Sequence, residues 1–191
     1  MGFFDDLPIP EPEPHRPHHP WEPPEAELPG IVPIDTLPLG RTEQVAVAIT
    51  GISAFAFGYE IFVTTRIRPG ARGAPGDPMP DAPGDPAAAR RSFRFGLQLS
   101  DGSKVIGLHG GRRLDHDAEP PGPILRQFLG GGGPRSQFSR WWAWPLPPSG
   151  PLEFVCEWPT FAITETRAGI DAQLILDAAR RRVRLWPEDG G

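Results

Sequence analysis

Proline and glycine are concentrated in a few segments of the 191-residue chain, and this distribution limits where a fold can form. The 27 prolines and 23 glycines make up about a quarter of the sequence, a proportion that would indicate disorder if it were evenly spread. Prolines instead crowd residues 1–40 and 69–86, and glycines cluster at 110–111 and 130–133. The remaining sequence holds most of the aromatic and β-branched residues in about 100 positions, which is enough for one compact core.

Residues 1–40 form an acidic, Pro-rich N-terminal arm. Residues 1–30 carry seven acids against one arginine, a net charge of −6, so the other 161 residues sum to +1. Repeated proline fixes φ and removes backbone donors, which predicts an extended arm whose first half is disordered. The second half turns apolar from Trp21 onward, and we expect it to lie along the domain surface with Trp21 as an anchor.

A single domain is predicted over residues 41–187, because alternating apolar residues indicate strands. Such alternation covers residues 45–49, 58–68, 93–99 and 152–158, and residues 138–146 also read as a strand. Asp101-Gly102 between two such runs is a strong hairpin signal. The alternation around Cys156 predicts a buried thiol beside Leu152, Phe154 and Trp158.

Two long connections are predicted within the domain. Residues 69–91 have the composition of a flexible insertion, and residues 109–135 form a long loop with a glycine hinge at 130–133. After Pro159 a helical period places Ile163, Ile170, Leu174 and Ala178 on one face, and residues 183–186 are expected to fold back on the core. The predicted fold is therefore mainly β, an antiparallel β-sandwich of about six to seven strands with a C-terminal α-helix.

Candidate chemistry is sparse. His109, Asp115, His116 and Asp117 offer metal-ligating side chains, but their spacing matches no ligand signature, and a solvated loop accounts for them better. The glycines at 130–133 lack the Lys and Ser/Thr of a phosphate-binding loop, and no nucleophile-elbow pattern occurs. No cofactor and no catalytic residue is predicted, and the body lacks the basic clusters of a nucleic-acid binder.

The strand around Arg140 carries the most distinctive residues. Trp142 and Trp144 fall on one face and Trp141 on the other, whereas a half-exposed sheet needs only one apolar face. Trp141 is therefore either covered by the arm, the helix or a loop, or exposed as a contact site. We take Arg140, Trp141, Trp142 and Trp144 as the candidate binding residues.

Four strings in the sequence resemble a known group of proteins. They are residues 144–159 (WPLPPSGPLEFVCEWP), residues 20–30 (PWEPPEAELPG), Glu165-Thr166-Arg167 and residues 185–188 (LWPE). Together they resemble an uncharacterised family of hypothetical proteins from high-GC Gram-positive (actinobacterial) genomes. The resemblance covers most of the chain except residues 69–91, and it implies a bacterial cytosolic protein without transferring any functional residue.

These features predict a cytoplasmic protein. The single Cys156 cannot form an intramolecular disulfide, the N-terminus lacks a signal-peptide pattern, and no apolar stretch is long enough for a membrane span. The predicted function is a non-enzymatic binding or assembly module that presents a Trp-bearing surface to a protein partner or a second copy. The alternative is a small-molecule or carbohydrate-handling enzyme with its site in loop 109–135 beside the Trp strand.

Overall fold

A computed structural model describes residues 19–71, 91–107 and 118–186, which form a mainly β, antiparallel fold with one helix near the C-terminus. Two sheets of six and four strands pack as a sandwich, and a third sheet is a two-stranded ribbon. The fold class predicted from the sequence is confirmed. In the described ranges the two main sheets contain ten strands, more than the six to seven expected.

The larger sheet has the order β2-β4-β5-β9-β8, with β3 also paired to β4. Its strands are β2 (Gly30–Ile31), β3 (Leu37–Arg41), β4 (Val45–Ala54), β5 (Tyr59–Ile67), β8 (Ile124–Gly133) and β9 (Ser136–Trp144). Alternate residues of β4 and β5 are buried, among them Val47, Ile49 and Ile61, as the period of two predicts.

The apolar half of the arm belongs to this sheet. β2 and most of β3 come from residues 1–40 and pair with β4, so strand pairing begins before residue 41. Val32 and Leu39 are buried in the core instead of lying on the surface. Pro38 lacks a donor, but it is tolerated here because β3 pairs only with β4.

The smaller sheet has the order β11-β10-β6-β7. Its strands are β6 (Arg94–Gln98), β7 (Lys104–Ile106), β10 (Pro151–Trp158) and β11 (Ile163–Asp171), and a 3-10 turn (Pro159–Phe161) connects the last two. The predicted hairpin joins β6 and β7. Gly102 takes a φ of +86°, and the Asp101 Oδ1 atom accepts a hydrogen bond from the Ser103 N–H at 2.9 Å.

The hydrophobic core lies between the two sheets. Leu152, Phe154 and Cys156 point inward from β10, which confirms the predicted face and the buried thiol. Phe95 joins the two layers, because its ring centroid lies 6.5 Å from Phe154 and 5.2 Å from Trp141 of the opposite sheet. Each such side chain contributes about 1.5–3 kcal/mol of hydrophobic stabilisation.

The predicted C-terminal helix exists but is shorter than the sequence pattern indicates. Helix α1 (Gln173–Arg180) buries Ile175, Ala178 and Ala179. It packs so close to β2 that a Cβ on Gly30 would lie 1.8 Å from the Ala178 carbonyl oxygen.

The inclusion of Ile163 and Ile170 in the helical face was wrong. Both lie on β11, whose burial alternates with a period of two. Their spacing satisfies a helical period as well, and the pairing of β11 with β10 decides between the two.

The expectation that residues 183–186 fold back on the core was also wrong. β12 (Val183–Arg184) pairs with β1 (Glu27–Leu28) in the two-stranded ribbon. The side chains of Val183, Leu185 and Trp186 are 56%, 41% and 61% exposed. The ribbon is only two residue pairs long, and its apolar residues remain in contact with solvent.

The prediction of one long loop over residues 109–135 was wrong for its second half. Residues 124–133 form β8, which pairs along its length with β9. The glycines at 130–133 are strand residues. Strand pairing uses only backbone N–H and C=O groups, so a run of glycines can form a strand without any side-chain pattern. Residues 109–117 of that loop and residues 72–90 of the insertion lie outside the described residues.

No helix among the described residues has the length and hydropathy that crossing a membrane requires.

Candidate binding site

The two adjacent indoles of β9 are buried on opposite faces of the larger sheet. Trp141 faces the smaller sheet, and its Nε1 atom donates a hydrogen bond to the Ser139 hydroxyl at 2.9 Å. Of the two alternatives for Trp141, the structure shows the covered one, but the cover is the second sheet and not the arm, the helix or a loop as predicted.

The arm covers Trp142 instead. The Trp142 Nε1 atom donates to the Trp21 carbonyl at 2.8 Å, and its ring packs edge-on against Phe55. Trp144 is half-buried, with its ring centroid 6.3 Å from that of Trp21. Trp21 is thus the anchor that the sequence predicts. The indoles of Trp141 and Trp142 are closed to solvent and offer no open contact surface.

Arg140 is held by an ion pair on the outer face of the larger sheet. Its guanidinium pairs with the Glu60 carboxylate, which is 4% exposed, and lies between the rings of Phe62 and Phe128 at about 5 Å from each. The Ser53 hydroxyl also donates to Glu60. These contacts fix Arg140 as part of the outer layer.

The candidate metal ligands His109, Asp115, His116 and Asp117 lie outside the described residues. Within residues 19–71, 91–107 and 118–186, no group of three or more His, Cys, Asp or Glu side chains is arranged to hold a metal ion.

An open cleft of about 460 Å³ lies at the end of the sandwich where the two sheets separate. We call it the end cleft. Every residue of the described ranges that lines it is uncharged: Thr65, Ser92, Phe93, Gln127, Gly130, Gly131, Gly132, Gln137, Phe138, Ser139 and Trp158. Its volume falls within the usual range of ligand sites, which is about 300–1,000 Å³.

The two walls of the end cleft differ in chemistry. The larger sheet supplies hydroxyl, amide and backbone groups, because Thr65 pairs with Gln137, and Ser139 lies two residues further along the same face of β9. The other wall carries two aromatic residues, Trp158 at the end of β10 and Phe93 just before β6. Phe138 also borders the cleft, but it pairs with Thr64, so its half-exposed ring lies on the outer face of the sheet.

Neighbouring contacts hold the aromatic wall in place. The Trp158 ring packs edge-on against Phe93 at 5.4 Å and against Phe161 at 4.6 Å. Phe93 stacks in turn on Phe95 of the core. The wall is therefore formed before any ligand arrives, which lowers the entropic cost of binding.

Neighbouring residues also hold the polar wall in place. Trp141 donates to Ser139, so the Ser139 hydroxyl keeps its own hydrogen for another acceptor. Gly130 has no Cβ, and a Cβ there would lie 2.5 Å from the Gln127 Nε2 atom. The glycine therefore leaves the space that the Gln127 amide occupies.

A second, smaller groove of about 240 Å³ crosses the outer face of the smaller sheet. Arg167 on this face donates to Glu153 at 2.7 Å and to Glu165 at 2.8 Å. The hydrogen bond and charge of Arg167 lower the pKa of Glu165, and the hydrogen bonds to Glu165 and Glu153 raise the pKa of Arg167. The three side chains therefore form solvated ion pairs of the kind found on an ordinary protein surface.

Two buried groups with perturbed pKa values lack the surroundings of a nucleophile. Burial raises the pKa of the Cys156 thiol, an effect that the Thr166 hydroxyl only partly opposes. Burial also raises the pKa of the Tyr59 phenol. Both groups are therefore neutral at pH 7, and each is 1% exposed.

Sequence reasoning missed the end cleft, although one signal was present. Gln137 and Ser139 share the face of β9 that carries Trp141, and Gln127 pairs with Trp141 from β8. Polar residues in line with a fully buried indole mark the place where a core face opens to solvent.

No protein-family model, no curated protein and no solved structure matches this chain.

Proposed function

We propose that this protein is a non-enzymatic, cytoplasmic binding module whose site is the end cleft, and that the ligand is uncharged and polar. The single observation that carries the proposal is the lining of the cleft, which combines hydroxyl and amide groups with aromatic rings and, among the described residues, includes no ionisable side chain. The Trp-bearing strand takes part indirectly, because Trp141 orients Ser139 from below.

The lining favours a neutral ligand for a physical reason. A charged ligand in this cleft would lose part of its hydration without meeting an opposite charge, and that loss is costly. A neutral polar ligand would exchange its hydrogen bonds to water for bonds to Thr65, Gln137 and Ser139. Its apolar surface would at the same time contact Phe93 and Trp158.

The experiment is a fragment screen by ¹H–¹⁵N NMR on the full chain. The probes are a set of uncharged polar fragments and a size-matched set of carboxylates and amines. We expect the uncharged set to shift the backbone amides of Gly130–Gly132 and the side-chain amide of Gln137. Hits confined to the groove at Glu165 and Arg167, or a preference for charged fragments, would contradict the proposal.

A further inference from the structure

We infer that the ligand of the end cleft is a carbohydrate, specifically a neutral saccharide. This inference rests on the proposed function and names the ligand class for the same site. It starts from the two unlike walls: one carries hydrogen-bonding groups from β5, β8 and β9, and the other carries the rings of Phe93 and Trp158.

A pyranose ring has the same two-sided character as the cleft. Its C–H groups form apolar faces that pack on aromatic rings, whereas its hydroxyls project from the edge and both donate and accept hydrogen bonds. The rings of Phe93 and Trp158 provide the matching platform, and they are fixed by Phe95 and Phe161. Aromatic side chains supply large contact area at low entropic cost.

The polar wall offers both kinds of hydrogen-bonding partner that sugar hydroxyls require. Gln127 and Gln137 each carry an amide with donors and an acceptor, and Thr65 and Ser139 carry hydroxyls. Thr65 is directly opposite Gln137 in the sheet, and Gly130 is directly opposite Ser139. These two pairs of opposite residues are neighbours along the strands. Their hydrogen-bonding groups are therefore spread over an area in which a sugar ring with several hydroxyls can bind.

An uncharged peptide is the competing ligand class. A peptide presents hydrogen-bonding groups at regular intervals along a strand and needs a continuous edge to pair with. β8 is an edge strand of the larger sheet, but the side chains that line the end cleft from Thr65, Gln137 and Ser139 lie on the inner face of that sheet, opposite two rings. This arrangement suits a compact polyol better than a strand that pairs with an edge.

The test combines a glycan array, carrying neutral and acidic oligosaccharides, with calorimetric titration of maltotriose, cellotriose and chitotriose into the full chain. Two matched pairs of variants locate the site. Thr65→Val removes a hydroxyl that lines the cleft, and Thr64→Val removes its neighbour on the other face. Gly130→Ala displaces the Gln127 amide, whereas a Cβ on Gly133 meets no atom within 4 Å, so Gly133→Ala is its control.

We expect a neutral saccharide to bind, with Thr65→Val and Gly130→Ala each weakening it about three- to tenfold, the loss of one neutral hydrogen bond. Thr64→Val and Gly133→Ala should leave the affinity within about twofold. Equal affinity across all four variants would overturn the placement. If uncharged fragments or an uncharged peptide bind the cleft and no saccharide does, the carbohydrate assignment fails while the proposed function stands. If saccharides and uncharged fragments both fail to bind, both fall.

Discussion

The outer faces of the two sheets carry similar ion pairs in different surroundings. On the larger sheet, Arg140 lies between the rings of Phe62 and Phe128 and pairs with a Glu60 carboxylate that is almost fully buried. On the smaller sheet, Arg167 pairs with Glu153 and Glu165 in an open groove, where all three side chains are at least 41% exposed. The same kind of ion pair therefore stabilises the fold on the larger sheet and is an ordinary solvated pair on the smaller sheet. The two differ because desolvation raises the cost of leaving a charge unpaired.

The arm is what distinguishes the two faces. Residues near Trp21 lie over the outer face of the larger sheet, where the Trp21 carbonyl accepts from Trp142. The covered part of that face therefore behaves as a second, minor core, formed by Phe55, Ile124 and Trp142 together with the rings of Trp21 and Phe128. The outer face of the smaller sheet has no such cover among the described residues, and Ile106 there is 76% exposed.

The largest effect is expected from breaking the buried pair. Arg140→Met keeps an aliphatic chain between Phe62 and Phe128 but leaves the Glu60 carboxylate without its cation. We expect the free energy of unfolding in urea to fall by about 3 kcal/mol, at the low end for a buried pair because Arg140 is one-third exposed. The double variant Arg140→Met with Glu60→Gln should recover most of the loss. A cost no larger than that of a surface pair would show that the comparison is unfounded.

A smaller effect is expected from removing the cover. Deleting residues 1–26 removes Trp21, the partner of Trp142 and Trp144. We expect a loss of about 2 kcal/mol, the contribution of one large side chain that is only partly buried. The indole N–H of Trp142 should then exchange with solvent faster by NMR, whereas that of Trp141 should not.

Deleting residues 1–18 is the matched control, because it leaves Trp21 in place. This shorter deletion should change neither the stability nor the indole exchange. If the longer deletion also leaves Trp142 protected, the arm is not the cover, and the minor core must be closed by other residues.

The contrast between the two faces was only partly visible in the sequence. Alternation correctly predicted the strands around Ile49, Phe95 and Phe154, because the period of two follows directly from burying one face. It also separated the face of Trp141 from that of Trp142. What covers each face depends on partners far away along the chain: Glu60 and Arg140 are 80 residues apart, and Trp21 and Trp142 are 121 apart.

The end cleft escaped prediction for a related reason. Half of its polar wall lies on β8, and the glycines at 130–133 give no side-chain pattern from which a strand can be recognised. The pairing of β8 with β9 is a tertiary property. The helical period over Ile163 and Ile170 failed in the same way, since β10 imposes a strand on a segment whose local pattern permits both structures.

The smallest effect is expected from the open face, at Glu165. Arg167 lowers the pKa of this carboxyl in the folded protein. Its contribution to stability is therefore fully present above the ordinary pKa of an unfolded glutamate and is lost as the pH falls through the lowered folded value. At pH 7, Glu165→Gln should shift the urea midpoint only slightly, because the Glu165 side chain is 60% exposed and water and salt screen the pair.

The pH dependence makes this prediction specific. Urea unfolding curves of the wild-type chain and Glu165→Gln should differ slightly at pH 7 and converge at acidic pH, where the wild-type carboxylate is protonated. In an Arg167→Met background the same substitution should have a still smaller effect at pH 7, since the main cation that lowers the pKa is gone and only the weaker influence of Lys104 remains. A difference that persists at low pH, or undiminished in that background, would mean that Glu165 acts through packing, and the contrast between a structural and a solvated ion pair would no longer hold at this position.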